Sequence, residues 1–265
     1  MPRAVAVDAS GDVYVADADL GYRIEKFSSS GAFLAKWGQK GSGDGEFEQP
    51  SGVAVDTTGN VYVADEGNHR IQRFTSSGAF KAKWGRKGSA DGEFSRPSGV
   101  AVDGAGNVYV ADLENGRIQK FNSAGAFLAK WGSQGSGDGQ FLAKGVAVDA
   151  AGSVYVVDVE NHRIQKFSPS GAFVAKWGSR GNGDGQFESP AGIAVDTMAN
   201  VYVADFFNHR IQKFSSSGSF LAKWGRMGTG TGEFDRVQAV AVDAVGNVYA
   251  CDLLNFRIQK FASDR

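Results

Sequence analysis

The stretch SGVAVDTTGNVYVADEGNHRIQRFTSSGAFKAKWG, residues 51–85, contains one complete unit of a pattern that fills the chain. Its first segment, GVAVD or a near copy, recurs at intervals of 46 to 48 residues. The six copies end at Asp8, Asp56, Asp103, Asp149, Asp196 and Asp243. Such a period, with several short apolar segments per unit, is typical of a β-propeller. Helical repeats do not fit, because no segment keeps a 3.6-residue apolar spacing and glycine interrupts the chain throughout.

Each unit divides into four predicted strands, named a to d. In the second unit these are GVAVD (a), NVYVAD (b), RIQRF (c) and FKAKWG (d). Short turns containing glycine join a to b and c to d, as in antiparallel hairpins. Strand a is almost wholly apolar with a small central residue, which suits an innermost strand. The sequence therefore predicts a single all-β domain over residues 1–265, a six-bladed β-propeller of four-stranded antiparallel blades. The blades are predicted to start near residues 4, 52, 99, 145, 192 and 239.

The sixth unit departs from this pattern. A copy of RIQKF occurs six times, but KWG occurs only five times. Blade six is therefore predicted to lack its outermost strand, giving about 23 strands in total. An uncovered strand edge can pair with another chain. We therefore expect that the chain can self-associate through the open edge of blade six, which consists of Arg257, Ile258, Gln259, Lys260 and Phe261.

The composition excludes several functional classes. Lys and Arg number 28 against 29 for Asp and Glu, so the whole molecule does not attract nucleic acid or an anionic membrane over a long range. No apolar run approaches the roughly 20 residues that a membrane span needs, so no membrane partner is predicted. The single cysteine, Cys251, cannot form an internal disulfide, so the fold does not depend on an oxidising compartment. The sequence predicts no particular localisation.

The segment GNVYVADEGNHRIQRF, residues 59–74, resembles the NHL repeat, which is named after Asn-His-Leu. This chain has Asn-His-Arg at residues 68–70, 161–163 and 208–210, and the resemblance extends over nearly the whole chain. It implies a six-bladed propeller. The family consists mostly of protein-binding and RNA-binding modules, and in bacteria of extracellular or sensor domains. A minority of six-bladed relatives are metal-dependent lyases or lactonases.

Most residues that look chemical recur in every blade and are predicted to be structural. The aspartate that ends each strand a is expected to cap its own turn. Asp65 and Arg70 flank the b–c turn, and their equivalents recur six times, so they cannot mark one active site. The loop GSGDGEF, residues 41–47, lacks the alternating carboxylates of a calcium loop and is expected to tuck Phe47 under the blade.

No catalytic residue, metal site or cofactor is predicted. Catalytic members among the relatives place His, Glu or Asn on the inner strands facing the channel, whereas the inner strands here carry Val and Ala. The three histidines occupy equivalent positions in different blades: His69, His162 and His209.

Three phenylalanines fall outside the repeated positions: Phe206, Phe207 and Phe256. All three lie in b–c turns of blades five and six, which are neighbours of blade one in a closed ring. Because the chain reverses at each turn, the b–c turns and d–a loops share one face. The residues predicted to form a partner-binding surface there are Phe206, Phe207, Leu253, Leu254, Phe256, Leu20 and Tyr22. Glu66, Glu114 and Glu160 predict an acidic half of that face in blades two to four.

The predicted function is a non-catalytic binding or scaffold module that recognises a protein or peptide through this face. Aromatic residues dominate interface hot spots, and contiguous apolar patches mark binding surfaces. One alternative is single-stranded RNA binding through basic d–a loop residues, which are Lys40, Arg86, Lys87, Arg180 and Arg226. Another alternative is a scaffold without an evolved ligand, amplified recently or designed from a consensus, because the repeats are so alike.

Overall fold

The four segments predicted in each repeat form an antiparallel sheet, and six such sheets surround a central axis. The computed structural model describes residues 1–263 and contains 23 strands over that range. Asp264 and Arg265, the last two residues of the predicted domain, lie outside the described residues. Residues 1–263 include no helix that is long and apolar enough to cross a bilayer.

The strands follow one order in every blade, from the axis outward. Blade one contains β1 (Pro2–Val7), β2 (Val13–Asp17), β3 (Arg23–Phe27) and β4 (Phe33–Trp37). Blade two contains β5 (Pro50–Val55), β6 (Val61–Asp65), β7 (Arg70–Phe74) and β8 (Phe80–Trp84). Blade three contains β9 (Pro97–Val102), β10 (Val108–Asp112), β11 (Arg117–Phe121) and β12 (Phe127–Trp131). Blade four contains β13 (Ala143–Val148), β14 (Val154–Asp158), β15 (Arg163–Phe167) and β16 (Phe173–Trp177). Blade five contains β17 (Pro190–Val195), β18 (Val201–Asp205), β19 (Arg210–Phe214) and β20 (Phe220–Trp224). Blade six contains β21 (Val237–Val242), β22 (Val248–Asp252) and β23 (Arg257–Phe261).

Burial changes from the axis to the rim. In blades two to six every residue of strand b is buried, which explains its nearly continuous apolar sequence. Most outer strands alternate between half-buried and exposed residues, because one face packs inward and the other faces solvent. The apolar core is divided into six clusters, each lying between two neighbouring blades.

The inner strands pack closely around the axis. Small residues permit this approach: a Cβ added to Gly145 of blade four would lie 2.6 Å from the carbonyl oxygen of Ala191 in blade five. Blades six and one meet through β21 and β1 without sharing a sheet in the described residues. Their contact includes Lys260, whose ammonium donates to the carbonyl oxygen of Ser29 at 3.1 Å.

The structure confirms the all-β class, the six blades, the 23 strands and the three-stranded sixth blade. The inner strands begin two residues before the positions given above as blade starts, because the residue two positions before GVAVD already pairs with strand b, as Pro50 does with Asp65. Within residues 1–263, blades six and one share no sheet, and β23 has no strand on its outer side.

Candidate binding surface

The aspartate that ends each strand a caps the turn into strand b. In blade two, Oδ1 of Asp56 accepts the backbone N–H groups of Thr58 and Asn60, each at 2.9 Å. Its Oδ2 accepts the hydroxyl of Tyr62 at 3.1 Å. The other five blades repeat both contacts. These carboxylates already have donors in their own blades, so the predicted structural role is confirmed.

A second repeated pair, between strands b and c, is also structural. In blade three, Nε of Arg117 donates to Oδ2 of the fully buried Asp112 at 2.8 Å. The other guanidinium nitrogens donate to the carbonyl oxygens of Ser89, Ala90 and Glu93 at 2.7 to 2.9 Å. The arginine therefore folds the preceding d–a loop onto the blade. This contact gives both residue types a structural reason to recur.

Blade one has a weaker version of this pair. Arg23 lies 3.3 Å from Asp17 and also contacts Glu25, and its side chain is 35% exposed. Within residues 1–263 it donates to no loop carbonyl. The same aspartate–arginine pair is therefore buried in blade three and partly exposed to solvent in blade one.

The three histidines connect neighbouring blades. Each occupies a left-handed position in a b–c turn, with φ between 52° and 55°. The Nδ1 atoms accept backbone N–H groups from the loop that enters the next blade, in the pairs His69–Arg96, His162–Ser189 and His209–Arg236, at 3.0 to 3.1 Å. In the described part of the chain, no group of three or more His, Cys, Asp or Glu side chains is arranged to hold a metal ion.

Phe206 and Phe207 form an edge-to-face pair in the b–c turn of blade five, with ring centroids 4.9 Å apart. The guanidinium of Arg236, from the loop that enters blade six, lies over both rings at 5.7 and 5.4 Å from their centroids. Phe206 is half-buried, whereas Phe207 is 48% exposed. The pair is therefore fixed to the next blade while one ring still faces solvent.

The other residues of the predicted partner-binding surface differ in exposure. Leu20 is 84% and Phe256 is 63% exposed, while Tyr22 and Leu254 are half-buried. Leu253 is buried, so its prediction as a surface residue is wrong. The first residue after strand b is buried in blade one at Ala18, in blade two at Glu66 and in blade three at Leu113 as well, and it is half-buried in blades four and five.

Hydrogen bonds place these turns beside the loops of their neighbours. The backbone N–H of Leu253 donates to the carbonyl oxygen of Arg236 at 3.1 Å, so one residue contacts both the Phe206–Phe207 pair and the turn of blade six. In blade one, the N–H of Ala18 donates to the carbonyl oxygen of Met1 at 3.2 Å, directly before β1. Because β17, β21 and β1 are successive inner strands, the three turns follow one another around the ring. We call the exposed set Leu20, Phe207 and Phe256 the apolar turn surface.

The acidic half of the face is smaller than predicted. Glu66 is buried and forms an ion pair with Arg96, which also lies 3.4 Å from Glu114. Only Glu114 and Glu160 of the three glutamates are exposed. Glu66 directly follows strand b, as the buried Leu253 does. Glu114 and Glu160 come one position later in the turn, where the side chain is exposed.

Four of the five basic residues predicted for RNA binding are near carboxylates. The pairs are Lys40–Glu48 at 3.6 Å, Arg86–Glu93 at 2.8 Å, Arg180–Glu188 at 3.1 Å and Arg226–Glu233 at 2.8 Å. Lys87 is exposed. Each basic loop residue except Lys87 therefore sits beside an opposite charge, which reduces the field available to phosphates.

Sequence reasoning missed a polar ring at the mouth of the central channel. The second residue of each strand a lines this opening, and the six are Arg3, Ser51, Ser98, Lys144, Ala191 and Gln238. The expectation that the inner strands offer only Val and Ala to the channel is therefore wrong. The sequence contains a sign of this ring, because the second residue of strand a varies between repeats while the GVAVD segment that follows it hardly changes.

Lys144 is the unusual member of this ring. It forms no ion pair among the described residues, whereas Arg3 donates to Asp19 at 2.9 Å. Burial lowers the pKa of the Lys144 ammonium, Glu66 acts in the opposite direction, and Arg3 and Arg96 lower it further. The channel mouth thus holds a lysine whose charged form is disfavoured by burial, on the same face as the apolar turn surface.

These features define a β-propeller whose repeated polar residues hold the blades together. The family model of the NHL repeat matches residues 47–74, 94–121, 143–167 and 187–214, which cover most of strands a to c of blades two to five. The chain is therefore an NHL-repeat β-propeller.

Solved structures share the fold at low sequence identity. Virginiamycin B lyase from Staphylococcus aureus is 13% identical with a TM-score of 0.66, over 100% of this chain and 85% of that one. Kuenenia stuttgartiensis hydrazine synthase is 10% identical with a TM-score of 0.68, over 99% and 96%. A Bacteroides thetaiotaomicron protein of unknown function is 19% identical with a TM-score of 0.72, over 98% and 69%. A comparison with curated proteins gave no match. The fold is thus common to enzymes and to proteins without an assigned role.

Proposed function

We propose that this propeller is a non-catalytic binding module that recognises a protein or peptide through its b–c face. The observation that carries the proposal is the apolar turn surface, where Leu20, Phe207 and Phe256 are exposed in three consecutive blades. Large aromatic and aliphatic side chains in such positions anchor protein partners.

The blade itself does not require these residues. At the position of Phe207, blades two, three and four carry Gly67, Glu114 and Glu160 and fold in the same way. At the position of Phe256, three blades carry a histidine that accepts a backbone N–H, which phenylalanine cannot do. Replacing a structural histidine by an exposed aromatic ring has no benefit for the fold, and this supports a role in recognition.

The residues at the channel mouth indicate which chemical groups the partner carries. Lys144 and Arg3 lie on opposite blades beside the axis, and both side chains carry hydrogen-bond donors. We expect a ligand to place an acidic side chain there while its apolar side chains contact the apolar turn surface. The paired state of four basic loop residues gives no support to RNA over protein as the partner.

The test is a selection of peptides from a random phage-displayed library on the wild-type chain, followed by affinity measurements. The variant Leu20→Ser/Phe207→Ser/Phe256→Ser should bind the selected peptides at least about 30-fold more weakly, which corresponds to one hot spot of about 2 kcal/mol. Its unfolding curve should match that of the wild type, since the three side chains are exposed.

A matched control removes as many exposed apolar side chains from the outer strands. The control is Leu34→Ser/Leu128→Ser/Leu221→Ser, whose wild-type residues are about half exposed. Equal binding by both variants would show that recognition lies elsewhere. Tight binding of single-stranded RNA that weakens steeply with salt, without any selected peptide, would favour the RNA alternative instead.

A further inference from the structure

Arg96 and Arg236 occupy equivalent positions in two loops of the b–c face. Each directly precedes an inner strand, β9 for Arg96 and β21 for Arg236. Each has a left-handed backbone, with φ of 56° and 66°. The backbone N–H of Arg96 donates to Nδ1 of His69 and that of Arg236 to Nδ1 of His209, both at 3.1 Å. The two side chains therefore start from the same place in the fold and can be compared directly.

The side chain of Arg96 is held by two glutamates of the chain itself. Its Nε donates to Oε1 of the buried Glu66 at 2.9 Å, and its Nη2 donates to the same oxygen. Its Nη1 lies 3.4 Å from Oε1 of Glu114. Glu66 is the first residue of the b–c turn in blade two, and Glu114 is the second residue of that turn in blade three. Blades two and three thus supply this arginine position with carboxylate acceptors.

Both glutamates are replaced around Arg236. Phe206 stands at the position of Glu66, and Leu254 stands at the position of Glu114. The adjacent acid, Asp235, lies 3.8 Å from Nδ1 of His209 and forms no ion pair with Arg236 within residues 1–263. Both replacements lie inside complete b–c turns of blades five and six. The loss of acceptors is therefore a property of these two blades.

Aromatic rings contact the Arg236 guanidinium in place of a carboxylate. Its central carbon lies 5.7 Å from the ring centroid of Phe206 and 5.4 Å from that of Phe207, which is within the range of a cation–π contact. The five N–H donors of a guanidinium lie in its plane and remain free for oxygen acceptors. Apolar rings also lower the local dielectric, which strengthens the attraction between a carboxylate and these donors. Arg236 is half-buried, so a partner can reach it.

We propose that Arg236 binds an aspartate or glutamate side chain of the partner peptide, beside apolar side chains that contact Phe207 and Phe256. The partner supplies from outside the carboxylate that Glu66 supplies to Arg96 from within the chain. A planar guanidinium matches a carboxylate with two parallel hydrogen bonds. The inference rests on the binding role proposed for the b–c face, and it adds an acidic residue separate from the one expected at the channel mouth.

The test is a double-mutant cycle on the peptides that the wild-type chain selects from the random library. Each peptide is synthesised with an amidated C-terminus, so that side chains supply its only carboxylates. Each Asp or Glu is replaced in turn by Asn or Gln, and Kd is measured by fluorescence anisotropy. One such replacement should weaken binding to the wild type at least about 10-fold, but binding to Arg236→Gln less than about 2-fold.

Arg226→Gln is the matched control for the loss of one positive charge. Arg226 lies in the same loop and already pairs with Glu233 at 2.8 Å. This variant should keep the wild-type affinity and the full effect of removing the peptide carboxylate. Arg236→Gln should unfold as the wild type does, because it has no ion pair to lose among the described residues.

A second pair of variants tests whether an acceptor within the chain competes with the peptide. Leu254→Glu gives blade six the acidic residue that blade three has as Glu114, whereas Leu254→Gln has the same shape without the charge. The carboxylate of the first variant can occupy the Arg236 guanidinium. Leu254→Glu should therefore bind the acidic peptides at least about 10-fold more weakly than Leu254→Gln.

Three results would overturn the inference. These are wild-type binding of the acidic peptides by Arg236→Gln, equal weakening by Arg226→Gln, and equal binding by the two Leu254 variants. If the same peptides still lose affinity in Leu20→Ser/Phe207→Ser/Phe256→Ser, the proposed function stands and the inference alone is wrong. A selection that yields no peptide would refute both.

Discussion

Replacing Arg117 by alanine tests whether the repeated aspartate–arginine pair is part of the scaffold. The change removes the guanidinium from Asp112, which is fully buried, and removes its hydrogen bonds to the carbonyl oxygens of Ser89, Ala90 and Glu93. Removing one partner of a buried pair costs about 3–5 kcal/mol. For a domain of this size each kcal/mol lowers Tm by about 2–4 °C. We therefore expect a loss of about 4 kcal/mol in the free energy of unfolding and a fall in Tm of about 8–16 °C.

Arg23→Ala is the matched control in blade one. Arg23 is 35% exposed and 3.3 Å from Asp17, so solvent screens the pair and its removal should cost only about 0–1 kcal/mol. The assay is guanidinium unfolding at pH 7 followed by tryptophan fluorescence, with ΔΔG taken from the midpoints at constant m-value. Equal losses for the two variants, or a loss below about 1 kcal/mol for Arg117→Ala, would refute the reasoning.

Three further predictions concern single groups. Lys144→Met should stabilise the protein by about 1 kcal/mol at pH 7, because burial lowers the pKa of the lysine and the charged form opposes folding. This gain in stability should shrink as the pH rises toward 10.5, the pKa of lysine in the unfolded chain. A gain that does not depend on pH in chemical unfolding would contradict this. Burial also lowers the pKa of His69, so the wild type should lose up to about 1 kcal/mol of unfolding free energy relative to His69→Gln as the pH falls below 6.5. If the stabilities of both proteins changed with pH in the same way, His69 would not be the neutral side chain that accepts the N–H of Arg96. Burial raises the pKa of the Cys251 thiol, so Ellman's reagent should label it only when blade six opens, and rapid labelling of the folded protein would show that this blade is not packed as described.

The fold followed from periodicity because each blade is specified by residues close in sequence. Tyr62 reaches Asp56 across one turn, and Arg70 reaches Asp65 across another, so the repeat unit encodes its own strands and caps. The missing fourth strand of blade six could likewise be counted from the absence of a sixth KWG.

The surface was harder to predict because it depends on contacts between blades. Leu253 and Glu66 were misplaced because the first residue of a b–c turn can be buried by loops that lie far away in sequence, such as the one that carries Arg96. Lys144 was overlooked because its neighbours are apolar, and only the closed ring brings it opposite Arg3. The groove between blades six and one brings together Phe27 and Tyr249, which are more than 200 positions apart, and no local pattern shows that they are close.

The most direct test of the binding role is a hydrogen–deuterium exchange footprint of a selected peptide on the wild-type chain. The account predicts slower exchange in the b–c turns of blades one, five and six, at residues 18–22, 206–209 and 253–256, with no change in the a–b and c–d turns. A footprint confined to the a–b and c–d face, or to β23, would contradict the claim that this propeller recognises partners through its b–c face.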